Sequence, residues 1–172
     1  MSLKTVGVIV IPGATGSAFE HGVFDARSRR VIIAHTARST IEVIDHDAGR
    51  HVATLPGIPG AAGAVADDGE ILGRLYAACD DGALVEVDSH SGEVTNVWPI
   101  AGPPDVTFFN PATGLVHVAI GEPGLVETID PRTGHGMQTI TGADAHTTVL
   151  VSPDRLYVIS PAHGGILVLS DT

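Results

Sequence analysis

A segment of just over forty residues recurs along this chain, and that repeat restricts the fold more than any other feature. Four stretches align: IEVIDHDAGRHVATLPG, LVEVDSHSGEVTNVWPI, LVETIDPRTGHGMQTITG and ILVLSDT. Their anchors Ile44, Val87, Ile129 and Leu169 lie 43, 42 and 40 residues apart. A second apolar run precedes each anchor (VIIAH, LYAAC, VHVAI, LYVIS), and a third precedes that one (EHGVFD, AGAVAD, DVTFFN, HTTVLV). Short runs of this kind, rich in β-branched residues and bounded by turn residues, favour strands. Asp45, Asp88 and Asp130 are each followed four residues later by a glycine, which supplies the positive φ of a short hairpin loop into a fourth strand. Four antiparallel strands at this period make a β-propeller blade. One blade cannot bury both its faces, so blades stack around an axis. The competing reading is a β-sandwich of irregular hairpins.

The two ends of the chain fit the same scheme. The last unit runs out after its third strand, ILVLSDT, and the first is preceded by an extra apolar run, TVGVIVIPG. Residues 1–13 are therefore expected to supply the missing outer strand of the last blade, pairing two edges that would otherwise be bare. The glycines at 13, 16 and 22 miss the spacing of a dinucleotide-binding turn, and the β-branched run Val31-Ile32-Ile33 stands where that fold needs a helix.

The 172 residues suit one domain with a real core. With 21 glycines, 11 prolines and 4% aromatics, the composition favours short strands and tight turns. A net charge of −11 with no Lys/Arg cluster argues against nucleic acid as a partner. No apolar run is long enough to cross a membrane as a helix, and no signal peptide is visible, so a soluble chain of unknown compartment is expected. The single cysteine, Cys79, rules out an internal disulfide framework. It stands beside Asp80 and Asp81, which makes it a poor nucleophile.

Three passages, RLYAACDDGALVEVDSHSGEV, PPDVTFFNPATGLVHVAIGEPGLVETIDPRTG and GADAHTTVLVSPDRLYVIS, resemble the YVTN-type, YncE-like β-propeller family. With AFEHGVFDARSRRVIIAHTARSTIEVID near the start, the resemblance covers most of the chain. It implies the fold far more specifically than an activity, because such propellers include binding proteins, surface proteins and lactonase-like enzymes. It also implies about seven blades, where four are counted here. Seven blades turn about 51° each, eight about 45° and four about 90°. Blades shaped for a seven-fold ring fit eight better than four, so two chains closing one eight-bladed ring are expected. A closed four-bladed monomer is the alternative.

In a propeller, the approach to each inner strand and the turn between the second and third strands share one face, where loops converge on a ligand. The approaches carry Glu20 with His21, Ala62, Asp105 and His146. The second turns add His35, Asp80, Asp81, Glu122 and His163. Carboxylates with imidazoles suit Zn²⁺ or Mn²⁺ better than Ca²⁺. Glu20, His21, Asp105 and His146 are the expected ligands, and Asp80 or His163 the expected base. The activity that follows is metal-dependent hydrolysis of a lactone, ester or phosphotriester at the channel mouth. The alternative is a non-catalytic propeller holding a small ligand or partner protein, its polar residues capping turns. His46, His51, His90 and His135 read as solvated surface, and His117 as packed between blades.

Overall fold

The computed structural model describes residues 4–67, 73–144, 148–152 and 154–170, the strand at 148–152 by its backbone alone. Among the described residues there are fifteen strands in four antiparallel meanders. The first blade comprises β1 (Gly22–Asp25), β2 (Arg30–His35), β3 (Thr40–Asp45) and β4 (Arg50–Pro56). The second comprises β5 (Ala61–Ala66), β6 (Arg74–Cys79), β7 (Ala83–Asp88) and β8 (Val94–Pro99). The third comprises β9 (Pro104–Asn110), β10 (Leu115–Ile120), β11 (Leu125–Asp130) and β12 (His135–Ile140). The fourth has three strands, β13 (Thr148–Ser152), β14 (Arg155–Ser160) and β15 (Gly165–Ser170). Each meander pairs its strands in chain order, as the repeat requires.

The outer hairpins close as their sequence dictates. Gly49, Gly92 and Gly134 sit at φ of +60°, +76° and +71°. The carboxylates of Asp45, Asp88 and Asp130 accept backbone N–H groups of the turn at 2.8–3.0 Å, from Ala48, from His90 and Ser91, and from Arg132. These bonds hold all three carboxyls below their ordinary range; for Asp130 the side-chain bond from Arg132 is the largest cause.

The core lies between blades. One cluster joins the first and second blades through Ile32, Ile41, Leu55, Leu75 and Val87. A second joins the second and third through Tyr76, Leu84, Phe109, Val116 and Ile129. The third, smaller, joins Val126 to Leu156 and Val158 of the last blade. His117 is buried in the third blade, its Nδ1 3.0 Å from the Thr128 hydroxyl.

The inner strands stand in a row, β1 on β5, β5 on β9 and β9 on β13. Among the described residues, β13 and β1 are not packed on each other, so the four blades form an open arc. Both ends of the arc expose apolar side chains: Ile159, Ile166 and Val168 at one, Phe24 at the other. No strand is assigned over residues 4–21, and Val6, Val8 and Val10 are 100%, 83% and 76% exposed. Among the described residues of one chain, β15 pairs with β14 and no ladder joins it to the N-terminal run. No helix among the described residues is long and apolar enough to cross a membrane.

Candidate ligand site at the channel mouth

Each inner strand of the first three blades begins at a bulge. The N–H of Glu20 donates to the carbonyl of Ala34, and the N–H of Ala34 donates to the carbonyl of His21, both at 3.1 Å, so one residue of β2 faces two of the incoming chain. In the second blade the register shifts between Ala61 and Gly63, leaving Ala62 as the extra residue. In the third it shifts between Val118 and Ile120, opposite Asp105 and Val106. A bulge bends its strand and re-aims a side chain, and such irregularities concentrate at rims and sites. Glu20 with His21, Ala62 and Asp105 are the positions singled out by the repeat. The fourth, His146, lies outside the described residues.

Below this rim a cleft of about 270 Å³ runs along the inner strands, lined by His21, Val23, Ala64, Val106, Thr107 and Phe108 among others. The Thr107 hydroxyl is buried there and meets no hydrogen-bond partner among the described residues. Such a group carries a desolvation cost of about 1–3 kcal/mol, which a ligand acceptor or donor would relieve. Glu20 and His21 are exposed and Asp105 is half-buried. Among the described residues no three His, Cys, Asp or Glu side chains converge to hold a metal, so Glu20, His21 and Asp105 are not a three-ligand centre within one chain.

The second turns lie on the same face. The N–H of Asp80 donates to the carbonyl of Gly60 at 2.9 Å, joining the turn of Asp80 and Asp81 to the approach of β5. Asp80, Asp81 and Glu122 are exposed. His163 is exposed but engaged, its Nδ1 lying 2.8 Å from the Ser160 hydroxyl and 3.1 Å from the Thr141 carbonyl. That latch ties the last blade to the third.

Two histidines differ from their sequence reading. His35, expected on the channel face, is wholly buried, because Ser17 and Phe19 of the incoming segment cover it. Its Nδ1–H donates to Glu42 Oε1 at 2.8 Å, its Nε2 lies 2.7 Å from Ser17 Oγ, and the Phe19 ring stacks on it at 4.0 Å. His51, expected on the surface, is 15% exposed and donates from Nε2 to Glu42 Oε2 at 2.8 Å. The cause is a register shift between Val43 and Ile44, which re-phases β4 and lets His51 and Thr54 both reach Glu42. Glu42 itself was missed, although a carboxylate inside the apolar run IEVID signals a buried network. Also missed was a larger cleft of about 450 Å³ on the opposite face, bounded by Asp25, Arg27, Arg30, Asp67, Ser89 and His90.

With the blades and rim in place, solved structures can be set beside them. The hydrazine synthase of Kuenenia stuttgartiensis superposes with a TM-score of 0.70 at 12% identity, over 98% of this chain and 53% of that one. The WD40 β-propeller domain of Doa1 superposes at 0.71 and 17% identity, over 90% and 50%. The chain has a β-propeller fold. It spans about half the length of those two propeller-like relatives, whereas the computationally designed Ika4 protein matches it almost end to end, at a TM-score of 0.74, 13% identity and coverage of 98% and 100%. At these identities the likeness concerns the propeller fold alone. No protein-family model and no curated protein matches the sequence.

Proposed function

We propose that this protein is a propeller of the YVTN type that binds a small molecule at its channel mouth, and that two copies close the ring around that mouth. The observation that carries the ligand site is the buried Thr107 hydroxyl, without a partner among the described residues, on a residue that lines a cleft beneath three successive bulged rims. A pocket with mostly apolar walls and a few convergent polar groups is the usual form of a small-molecule site. The ends of the arc support the ring. Among the described residues β15 has a free edge, the run at residues 4–10 is largely apolar, exposed and in no sheet, and both terminal blades leave apolar side chains uncovered. A second copy covers all of these at once by donating its N-terminal strand to β15 and laying its first blade on the last, and two such exchanges give eight blades with two-fold symmetry.

Metal-dependent hydrolysis of a lactone, ester or phosphotriester is the second reading. It is favoured by the carboxylates and imidazole at the bulges, Glu20, His21 and Asp105, each of which occurs twice in the ring. His163 or Asp80 would act as base there. The experiment that separates the readings is a thermal-shift and calorimetric titration of metal-stripped protein with Zn²⁺, Mn²⁺ and Ca²⁺, followed by ester, lactone and phosphotriester assays. Stabilisation by an ion, loss of it in Asp105→Asn, and chelator-sensitive turnover support the hydrolase. Stabilisation by small polar ligands, lost in Thr107→Val and indifferent to chelator, supports the binding reading.

A further inference from the structure

Ser17, His35 and Glu42 lie in one chain and one blade, in a hydrogen-bonded line that neither reading uses. Glu42 is 1% exposed and accepts from four side chains: His35 and Thr40 on one oxygen, at 2.8 and 2.9 Å, and His51 and Thr54 on the other, at 2.8 and 2.6 Å. Burial pushes its pKa up, but the bonds from Thr54, His35, Thr40 and His51 outweigh that and hold it below the ordinary carboxylate range. An ionised carboxylate only accepts. The proton of a neutral His35 is therefore on Nδ1, its Nε2 carries the lone pair, and the Ser17 O–H donates to it across 2.7 Å. Phe19, stacked on the imidazole, shields that ring from water. Ser17 is only half-buried. The order is carboxylate, oriented imidazole, hydroxyl of a half-buried serine, which is the arrangement that activates a serine nucleophile.

We propose that Ser17 is an acyl-accepting nucleophile for small carboxylic esters or lactones, with His35 as its general base and Glu42 as the positioning residue. His35 Nε2 takes the Ser17 proton as Oγ adds to the carbonyl carbon. The same proton passes to the leaving alkoxide oxygen as its bond to carbon breaks, giving an acyl-Ser17 ester and a free alcohol. Water then gives a proton to His35 and its hydroxyl to the acyl carbon, and the proton returns to Ser17 Oγ as the acid departs. Ester and water become acid and alcohol, with no metal required. This step does not rest on the ring, since all three groups belong to one chain, and it differs from the metal reading in ignoring chelators.

The competing role for these groups is a purely structural staple that pins residues 17–21 to the first blade. The test is labelling of the unmutated, folded protein with an alkyl fluorophosphonate, peptide mapping of the modified residue, and p-nitrophenyl ester turnover in EDTA. Labelling is expected at Ser17 and lost in Ser17→Ala together with turnover. Ser28→Ala, at an exposed hydroxyl bonded to Asp25 without an imidazole, should keep both. His35→Gln should slow labelling about 10²-fold, the ordinary contribution of a general base. Glu42→Gln should lower kcat with KM unchanged, and Glu42→Asp should restore part of it. A folded protein unlabelled at Ser17, or a folded Ser17→Ala variant with undiminished turnover, overturns the proposal. Should Ser17→Ala fail to fold, the labelling site in the unmutated protein still decides.

Discussion

Buried carboxylates recur in the third strand of three blades, and each is satisfied differently. Glu42 is met by two histidines and two threonines. Glu86 accepts from Arg74 at 2.8 Å, Thr95 at 2.5 Å and Asn96 at 3.0 Å. Glu127 accepts the Ala101 N–H at 3.0 Å and lies 3.3 Å from the Gln138 amide. A buried acceptor that loses its ionised form leaves its donors facing one another, at about 1–3 kcal/mol. Glu42→Gln is therefore expected to destabilise the fold by about 2 kcal/mol, read from urea midpoints at neutral pH. The pH dependence has a definite sign. Because the folded pKa of Glu42 is depressed, its contribution is fully present above the ordinary carboxylate range near about 4 and is lost as pH falls through the folded value. Wild type should lose stability on acidification more steeply than the Gln variant; parallel curves would show that Glu42 contributes nothing. Cys79 offers a simpler check. Burial chiefly, then Asp81 and Asp80, push its thiol up to about 12, so a thiol reagent at pH 8 should fail on the native protein and react fully once it is unfolded. The direction at Cys79 was legible from its acidic neighbours, but its chief cause, burial, was not. The partners of Glu42 were not, because a β4 bulge decides which histidine turns inward and no spacing in the sequence marks that bulge.

At the level of strands and turns the repeat was informative. Each Asp-to-Gly turn and each meander falls where the period puts it, since a blade's hydrophobic pattern and hairpin chemistry are local properties. The bulges at the described approaches were not marked by the repeat. Close approaches between elements were not legible. Gly124, at φ +89°, brings its backbone so near Gly142 that an added Cβ would lie 2.3 Å from the Gly142 carbonyl carbon. Gly124→Ala should cost more than about 1 kcal/mol, from positive φ and from backbone that cannot yield; a Tm unchanged within a degree would refute that packing. Thr107→Val runs the other way. It removes an unpaired hydroxyl and should leave stability equal or higher while weakening ligand binding in the cleft. The convergence of metal ligands could not be read from the sequence, because it depends on how far apart the rims stand, and within one chain Glu20, His21 and Asp105 do not meet.

Among the described residues the four blades form an arc, and apolar side chains are exposed on its terminal blades as well as on the outer strands of the middle two. Ile166 and Val168 are 62% and 55% exposed on the last blade, beside the free edge of β15, while the valines at 6, 8 and 10 project from an unpaired run. Edges and faces of this kind drive association unless a partner covers them. Exchange of N-terminal strands between two copies would pair both β15 edges and give the last blade a fourth, outer strand like those of the other three. Deleting residues 1–12 should therefore abolish the dimer and produce aggregation, and Ile166→Lys should weaken it with the strand still present. The most direct measurement is the molar mass of the 172-residue chain at low micromolar concentration by light scattering coupled to gel filtration. Two copies in one ring give twice the 17.7 kDa chain mass, falling to the monomer or to aggregate on deletion of residues 1–12. A stable, monodisperse species of 17.7 kDa would contradict the two-copy ring.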